Sequence, residues 1–380
     1  MTILACLALA LALLPAVLAL ANLLALRGTP PGATAPDGLV SILIPARNEA
    51  ANIRPTLAAA LASTGVPIEV IVADDHSTDG TAAIVDDIAA RDPRLRLIAV
   101  PPLPAGWTGK NHACHVLGEA ATGRFLLFID ADVRLAPHGA ASLAVAASRA
   151  ALVSGVPRQV TGTLGERLTV PMINFLLLGY LPIPLMRRLG DPALGAACGQ
   201  LVMVHADSYR RVGGHGAIRA SLHDGVRLPR IFRRAGLGTD LVAASGLATC
   251  RMYTDFPQAW AGFSKNAHEG LATPRALPVW TLLLGGGHVL PLLLVIAALM
   301  GVGDLGVGDL GAGDGILAGA ALALSLGTRA AITLFTREDP WTILLHPLTV
   351  ALALALQWNA LLRPRRAGVA TWKGRTYPAG

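Results

Sequence analysis

Charge is what this 380-residue sequence has least of. Asp, Glu, Lys and Arg make up only 14% of it, where a soluble domain carries about 25%. That deficit excludes an ordinary all-soluble chain, because the missing charge is concentrated in long apolar runs at both ends while the middle is normally polar. Aromatic residues are equally sparse, at 4%. With no recognition module beside it, the net charge of +7 does not indicate a nucleic-acid partner. Arginines instead flank apolar segments, as in Arg187-Arg188, Arg210-Arg211, Arg233-Arg234 and the Arg363, Arg365, Arg366 group, a pattern suited to an anionic leaflet. The cysteines, Cys6, Cys114, Cys198 and Cys250, form no CxxC pair. This excludes a disulfide framework and a zinc ribbon and fits a reducing cytoplasm. His112, Cys114 and His115 stand close together, but no second ligand cluster accompanies them, so they read as incidental residues of a helix.

The apolar runs come next. Residues 3–26 are apolar apart from Asn22, exceeding the roughly 20 residues needed to cross a bilayer. No basic residue precedes them, unlike a signal peptide. They are expected to form an uncleaved anchor over residues 1–27, with Arg27 on the cytoplasmic flank and the central domain in the cytosol, at the cell (inner) membrane. The segment 168–189 is apolar but interrupted by Pro171, Pro182 and Pro184, so it reads as interfacial or acceptor-lining. Residues 277–362 hold further membrane segments, at about 280–300, 316–335 and 341–362, with the Gly/Asp-rich Gly301–Gly315 as a flexible connection. Three full C-terminal spans would place the basic tail 363–380 opposite the central domain, against the positive-inside rule. One segment is therefore expected to be re-entrant or interfacial, and 280–300 is the weakest because Gly285-Gly286-Gly287 breaks it.

Between these ends lies an α/β pattern over residues 39–276, entered through the Pro/Gly-rich linker 28–38. Short apolar runs at 39–45, 68–73, 94–100 and 125–129 read as buried strands. Helical spacing appears at 50–63, 81–91 and 111–121. Strands alternating with helices predict right-handed crossovers and a mostly parallel sheet. Ligands of such sheets bind beyond the carboxyl ends of the strands, which is where Asp74-Asp75 and Asp130-Ala131-Asp132 fall.

Those carboxylates suit one chemistry in particular. Transfer from a nucleotide sugar releases a diphosphate, and a dication held by carboxylates stabilises the charge that develops. Mg²⁺ or Mn²⁺ takes one or two carboxylates plus phosphate oxygens. An Asp-x-Asp triplet alone is a weak signal, and Ser77, Thr78 or Asp79 could simply cap the following helix. Two acidic strand ends in one sheet are far more specific.

Together, Val40-Ser-Ile-Leu-Ile-Pro-Ala-Arg-Asn-Glu49, the Asp74–Gly80 run, Gly109-Lys110 and Asp130-Ala-Asp132 resemble the family 2 glycosyltransferases of the GT-A fold. The resemblance implies a nucleotide-sugar site of Pro45, Arg47, Glu49, Asp74, Asp75, Lys110 and Asp130, with the metal at Asp132. Lys110 also has the charge to meet a phosphate. Family members place an acidic pair before an apolar helix to supply the catalytic base. Here that place holds His223-Asp224, so Asp224 is the base and His223, replacing the usual first acid, orients or tunes it. Asp224 could alternatively cap the next helix. Pro104–Lys110, Gly213-Gly214-His215, Arg251–Tyr253, Gly262–Asn266 and Trp372–Tyr377 are similar to the bacterial carotenoid branch, which includes diaponeurosporenoate and chlorobactene glycosyltransferases, and to a neighbouring hopanoid-associated branch. Lys265 stands near the place of the processive-synthase Gln-x-x-Arg-Trp motif and is assigned to the diphosphate or acceptor; a basic interfacial helix is the other reading.

The expectation is thus an α/β GT-A enzyme with N- and C-terminal transmembrane helices. It would transfer a sugar, from UDP-glucose first among donors, to a lipophilic isoprenoid. A polyprenyl-phosphate or glycolipid transferase, and a non-catalytic nucleotide-sugar-binding scaffold, remain alternatives.

Overall fold

The computed structural model of the chain describes residues 2–26, 28, 36–300, 312–362, 369–372 and 375–378. Arg27, most of the 28–38 linker, most of the Gly301–Gly315 connection, Arg363, Arg365, Arg366 and Lys373 lie outside the described residues. The chain divides into two compact units. One comprises residues 26–159, 185–252 and 367–380. The other comprises residues 1–25, 160–184 and 253–366.

The first unit is the α/β body. Its strands are β1 (Val40–Ala46), β2 (Ile68–Asp74), β3 (Leu95–Ala99), β4 (Phe125–Ile129), β5 (Val133–Leu135), β6 (Leu152–Ser154), β7 (Arg158–Gln159), β8 (Leu201–His205), β9 (Thr239–Leu241) and β10 (Ala248–Cys250). Seven of them form one sheet in the order β3-β2-β1-β4-β8-β6-β9. The first four are parallel, β8 is antiparallel to both neighbours, and β6 and β9 are parallel. The predicted parallel α/β sheet is therefore present, each strand within a residue or two of its expected place. A parallel sheet covered on both faces demands strands apolar on both sides. Val40, Ile42 and Ile44 pack into one buried layer and Leu43, Ile71 and Leu126 into the other.

Register delivers the carboxylates. Pro45 pairs with Ala73 and Ala46 with Asp74, while Val40–Leu43 pair with Phe125–Phe128. The ends of β1, β2 and β4 consequently align. A smaller sheet, β5-β10-β7, takes over beyond β4, with Cys250 opposite Val133. Val369–Trp372 and Arg375–Pro378 form a separate antiparallel hairpin.

The second unit is a helical bundle. Three helices, Thr2–Ala25, Ala276–Leu299 and Gly313–Thr336, are long and apolar enough to cross a membrane. The 160–184 stretch belongs to this bundle. Asn22 is fully buried, donates to the Leu178 and Leu181 carbonyls (2.7 and 2.6 Å) and accepts from the Ile183 amide (2.9 Å).

Two features depart from the sequence reading. The Gly285–Gly287 triplet does not break its helix but widens it to a π-turn over Thr281–Val289, a local device that inserts an extra residue into the ladder. The glycines let the N-terminal helix approach, since a side chain at Gly287 would meet the Leu11 carbonyl at 2.9 Å. The last apolar helix, His346–Leu362, has only 17 residues. His346 lies level with His288, their rings 5.0 Å apart, and Trp358 donates to Thr281 (2.9 Å). It therefore runs from mid-bundle back to the end where Ala276–Leu299 begins. Thr336 ends its helix there too, and Thr342 folds back beside Thr333 at 3.2 Å. Residues 337–362 thus enter and leave the bundle by one end, whereas Ala276–Leu299 is long and apolar enough to cross a membrane.

A candidate nucleotide-sugar site at the strand ends

The site begins with two loops locked together. Asn48 and His76 both adopt left-handed backbone, at φ 52° and 55°, conformations that cost non-glycine residues energy and cluster at functional sites. Asn48 Oδ1 accepts from the Thr78 amide (2.8 Å), and Ser77 Oγ accepts from the Asn48 amide (2.9 Å). Arg47 donates to the Asp75 carbonyl (2.5 Å). Asp74 Oδ2 accepts from the Ser77 amide (3.2 Å), so Asp74 closes its own turn. Asp79 accepts from the Thr81 and Ala50 amides (3.0 Å each). The N-cap itself is Gly80, with no side-chain cap bond, so Ser77, Thr78 and Asp79 do not cap the helix as weighed; Asp79 closes the preceding turn beside the buried Asp75, which is 2% exposed.

Lys110 organises the next layer. It stands in the first turn of the helix Gly109–Ala120, which Thr108 caps through the Asn111 amide. Its ammonium reaches Asp130 Oδ1 at 2.8 Å, Asp224 Oδ2 at 3.0 Å and the Gly199 carbonyl at 3.2 Å. Two carboxylates far apart in sequence are thereby joined by one cation. Pro45, Lys110, Asp130 and Asp224 line a common cavity with Cys114, Gly199 and His215. Its volume is about 10 Å³, barely the space of one water.

Electrostatics divides the carboxylates. Burial opposes charge on Asp224, but Lys110 outweighs it and holds this carboxyl well below the ordinary range. Burial likewise opposes charge on Lys110, which Asp130 and Asp224 overcome, raising it well above its usual value. Desolvation raises Asp130 despite Lys110. Asp132 is pushed up to about 7 by desolvation and by the charges of Asp130 and Glu49, and its Oδ1 is buried without a hydrogen-bond partner. Both features follow from burial beside other carboxylates. Among the described residues no three His, Cys, Asp or Glu side chains gather around one point. The protein would thus supply one or two carboxylates, the pattern of Mg²⁺ or Mn²⁺ sites completed by phosphate oxygens.

Asp224 opens the helix Asp224–Arg234, with His223 as the residue before it. Its Oδ1 accepts from the Gly225 amide (2.8 Å). Gly199 must be glycine, because a Cβ there would lie 2.3 Å from Asp224 Oδ1. Lys265 lies on the helix Phe256–Asn266 of the other unit.

Several contributors had no assigned role in the sequence. Asn111 is 1% exposed and donates to the Ile218 and Ser221 carbonyls (2.8 Å each), pinning the loop that leads to Asp224. His215 pairs with Tyr209 (2.8 Å), and burial lowers its pKa to about 4, so it is neutral near pH 7. Its only advance signal was Gly213-Gly214, where a Cβ on Gly214 would strike the Tyr209 ring at 2.2 Å.

Comparison with known proteins now adds to the geometry. Residues 41–213 match the model of Glycosyl transferase family 2. This chain carries a family 2 glycosyltransferase domain. It is 26% identical over 350 residues to a 4,4'-diaponeurosporenoate glycosyltransferase of Staphylococcus aureus (strain USA300), covering 89% of this chain and 88% of that one. The same enzyme of strain MRSA252 is 25% identical over 351 residues, with the same coverage. Among solved structures, a mannosyltransferase from Pyrobaculum calidifontis in complex with GDP-Man and Mn²⁺ superposes with a TM-score of 0.55. At 20% identity it covers 94% of this chain and 99% of that one, a likeness of fold that makes the body GT-A. The chain is a glycosyltransferase, and its acidic cluster lies where the domain's sheet ends.

Proposed function

We propose that the chain is a membrane-bound, inverting glycosyltransferase that moves a sugar from a nucleotide sugar, UDP-glucose as the expected donor, to a lipophilic isoprenoid such as a carotenoid. The observation that carries this reading is the junction Asp130–Lys110–Asp224 beside the unsatisfied Asp132. In this reading Lys110, which bridges Asp130 and Asp224, is the cation that meets the donor's phosphate, with Asp130 on the donor side and Asp224 on the acceptor side. The Staphylococcus relative, named for a carotenoid acid, supports the acceptor class, and the mannosyltransferase bound to GDP-Man and Mn²⁺ supports donor and metal.

The reaction is a single displacement. The acceptor oxygen bonds to the anomeric carbon as the bond to the diphosphate breaks, and a hydroxyl acceptor gives its proton to Asp224. A Mg²⁺ or Mn²⁺ held by Asp132 would supply charge stabilisation to the leaving diphosphate. Paired with Lys110, Asp224 is too weak a base for this task. The donor's diphosphate competes for the same ammonium, and drawing Lys110 away restores basicity to Asp224. Pro45, Arg47, Glu49 and Asp75 would hold the nucleoside. His223 is close enough to favour the ionised Asp224.

The bundle supports the membrane half. The end shared by Ala276, Thr336 and Leu362 carries Lys265, Arg275 and Arg337, followed in sequence by the basic tail, whereas the sequence 300–311 contains Asp304 and Asp309 and no Lys or Arg. The positive-inside rule favours a cytoplasmic basic end, to which 337–362 returns, and a cytosolic catalytic domain is part of the proposal. The test is mass spectrometry of lipids from cells expressing the chain or its Asp132→Ala variant. A hexosylated isoprenoid present only with the parent is expected. A sugar-charged polyprenyl phosphate would replace the acceptor assignment, and identical lipid profiles would overturn the reading.

A further inference from the structure

We infer that Cys250 is a positioning residue for Asp132, the last donor of a buried side-chain relay that runs Gln159, Gln200, Cys250. The inference rests on reading Asp132 as the residue that holds the Mg²⁺ or Mn²⁺.

The direction of the relay follows from its first member. Gln159 Nε2 lies 3.1 Å from the Pro157 carbonyl and 3.0 Å from Gln200 Oε1. A carbonyl oxygen can only accept, so the Gln159 amide must present its NH₂ here, and Gln200 must receive on its oxygen. The thiol of Cys198 reaches that same oxygen at 3.5 Å. Gln200 therefore turns its own NH₂ towards Cys250 Sγ, 3.1 Å away. The sulfur accepts there, and β10 sets Cys250 opposite Val133, the residue after Asp132, so its S–H is left to turn to that carboxylate. Every link donates towards Asp132 and none competes for it.

Burial makes the relay obligatory. Gln159, Gln200 and Cys250 are 3%, 5% and 1% exposed, so solvent does not replace a lost link. Gln200 also serves the other acid, since its carbonyl accepts from the Asp130 amide (3.3 Å). Backbone geometry completes the arrangement, because β10 places Cys250 opposite Val133, next to Asp132. A thiol is a weak donor. It orients one side of the carboxylate without quenching its charge, while Oδ1 takes no hydrogen bond and is left for a cation. Partners standing behind metal ligands commonly govern affinity in this manner.

The test is Mn²⁺ binding to the purified full chain in detergent, followed by electron paramagnetic resonance titration with UDP present, independent of any turnover. Cys250→Ala and Gln200→Ala should each weaken Mn²⁺ binding by about 10–100-fold. Cys250→Ser, which keeps a donor at the same place, should remain within a few-fold of the parent. Cys250→Ala binding like the parent, or Ser and Ala weakened equally, would overturn the positioning role. If Asp132→Ala binds Mn²⁺ as tightly as the parent, the reading of Asp132 itself fails. Thermal unfolding in the absence of Mn²⁺ should be alike for Cys250→Ala and Cys250→Ser, which separates loss of the donor from loss of the fold.

Discussion

Glu69 and Asp132 are shielded carboxylates at opposite ends of the same α/β body, and they are treated in opposite ways. Glu69, opposite Ser41 near the start of β2, accepts from the Ser41 hydroxyl (2.6 Å), the Thr122 amide and hydroxyl (2.8 Å each) and Arg96 (3.2 Å). Burial works against its charge, but these donors outweigh it and its pKa is lowered. Asp132, beyond the end of β4, keeps one oxygen unsatisfied and has its pKa raised. The donors around Glu69 stabilise its charge within the fold, whereas the shortage at Asp132 leaves its charge unbalanced, which fits the metal role proposed for it. The helical unit repeats the first pattern. Arg329 and Glu338, 1% and 7% exposed, are paired, and Asn174, Thr342 and the Pro171 carbonyl complete their hydrogen bonds.

The comparison breaks most visibly at the catalytic end. Asp132→Ala and Asp224→Asn should each lower sugar transfer in isolated membranes by at least about 10³-fold, the upper range for losing one transition-state electrostatic contact. Both variants should still accumulate, Asp224→Asn because its amide keeps an acceptor oxygen in place of the carboxylate that Lys110 and the Gly225 amide bind. Removing divalent cations with a chelator should reproduce the Asp132→Ala loss in the parent, and Mn²⁺ should restore it. Near-normal turnover by either variant would remove that residue's assigned role.

The satisfied pair in the bundle should behave in the reverse manner. Arg329→Met leaves Glu338 buried without its counter-charge, a change that typically costs about 3–5 kcal/mol. The expected result is early thermal unfolding in detergent and poor accumulation, measured by fluorescence-detected gel filtration. Adding Glu338→Gln to Arg329→Met should recover much of that loss, since the stranded charge is gone. A single variant as stable as the parent would mean that the pair is not buried as described.

How much of this was legible in the sequence depends on distance along the chain. Strands and their terminal acids could be read because apolar runs such as Phe125–Ile129 end directly in the residue concerned. Lys110 was legible as a phosphate-seeking cation but not as the link between Asp130 and Asp224, since that pairing joins elements far apart. The Cys250 relay was invisible for the same reason, as β10 reaches Asp132 only through a second small sheet. The Gly285–Gly287 triplet misled because glycine spacing cannot distinguish a helix break from a site of close approach. Residues 160–184 were assigned to the α/β domain by sequence position, whereas their apolar faces and Asn22 place them in the bundle.

The smallest effect is expected at Glu69, and it carries a sign. Its folded pKa lies below the ordinary carboxylate value of 4.5, so its ionised form contributes stability that is fully present above pH 4.5. That contribution is lost as pH falls through the lower, folded value. Glu69→Gln leaves the Ser41 and Thr122 donors facing an amide, and hydrogen bonds to a charged group are worth about 1.5–3 kcal/mol before solvent screening reduces them. At pH 7 the variant should melt a few degrees below the parent while transferring sugar at the parental rate. The gap in melting temperature should close progressively below pH 4.5, as the parent's carboxyl becomes protonated and resembles the amide. A gap that stays constant with pH would mean that shape, not charge, makes Glu69 fit. In that case the contrast with Asp132 would be one of packing alone.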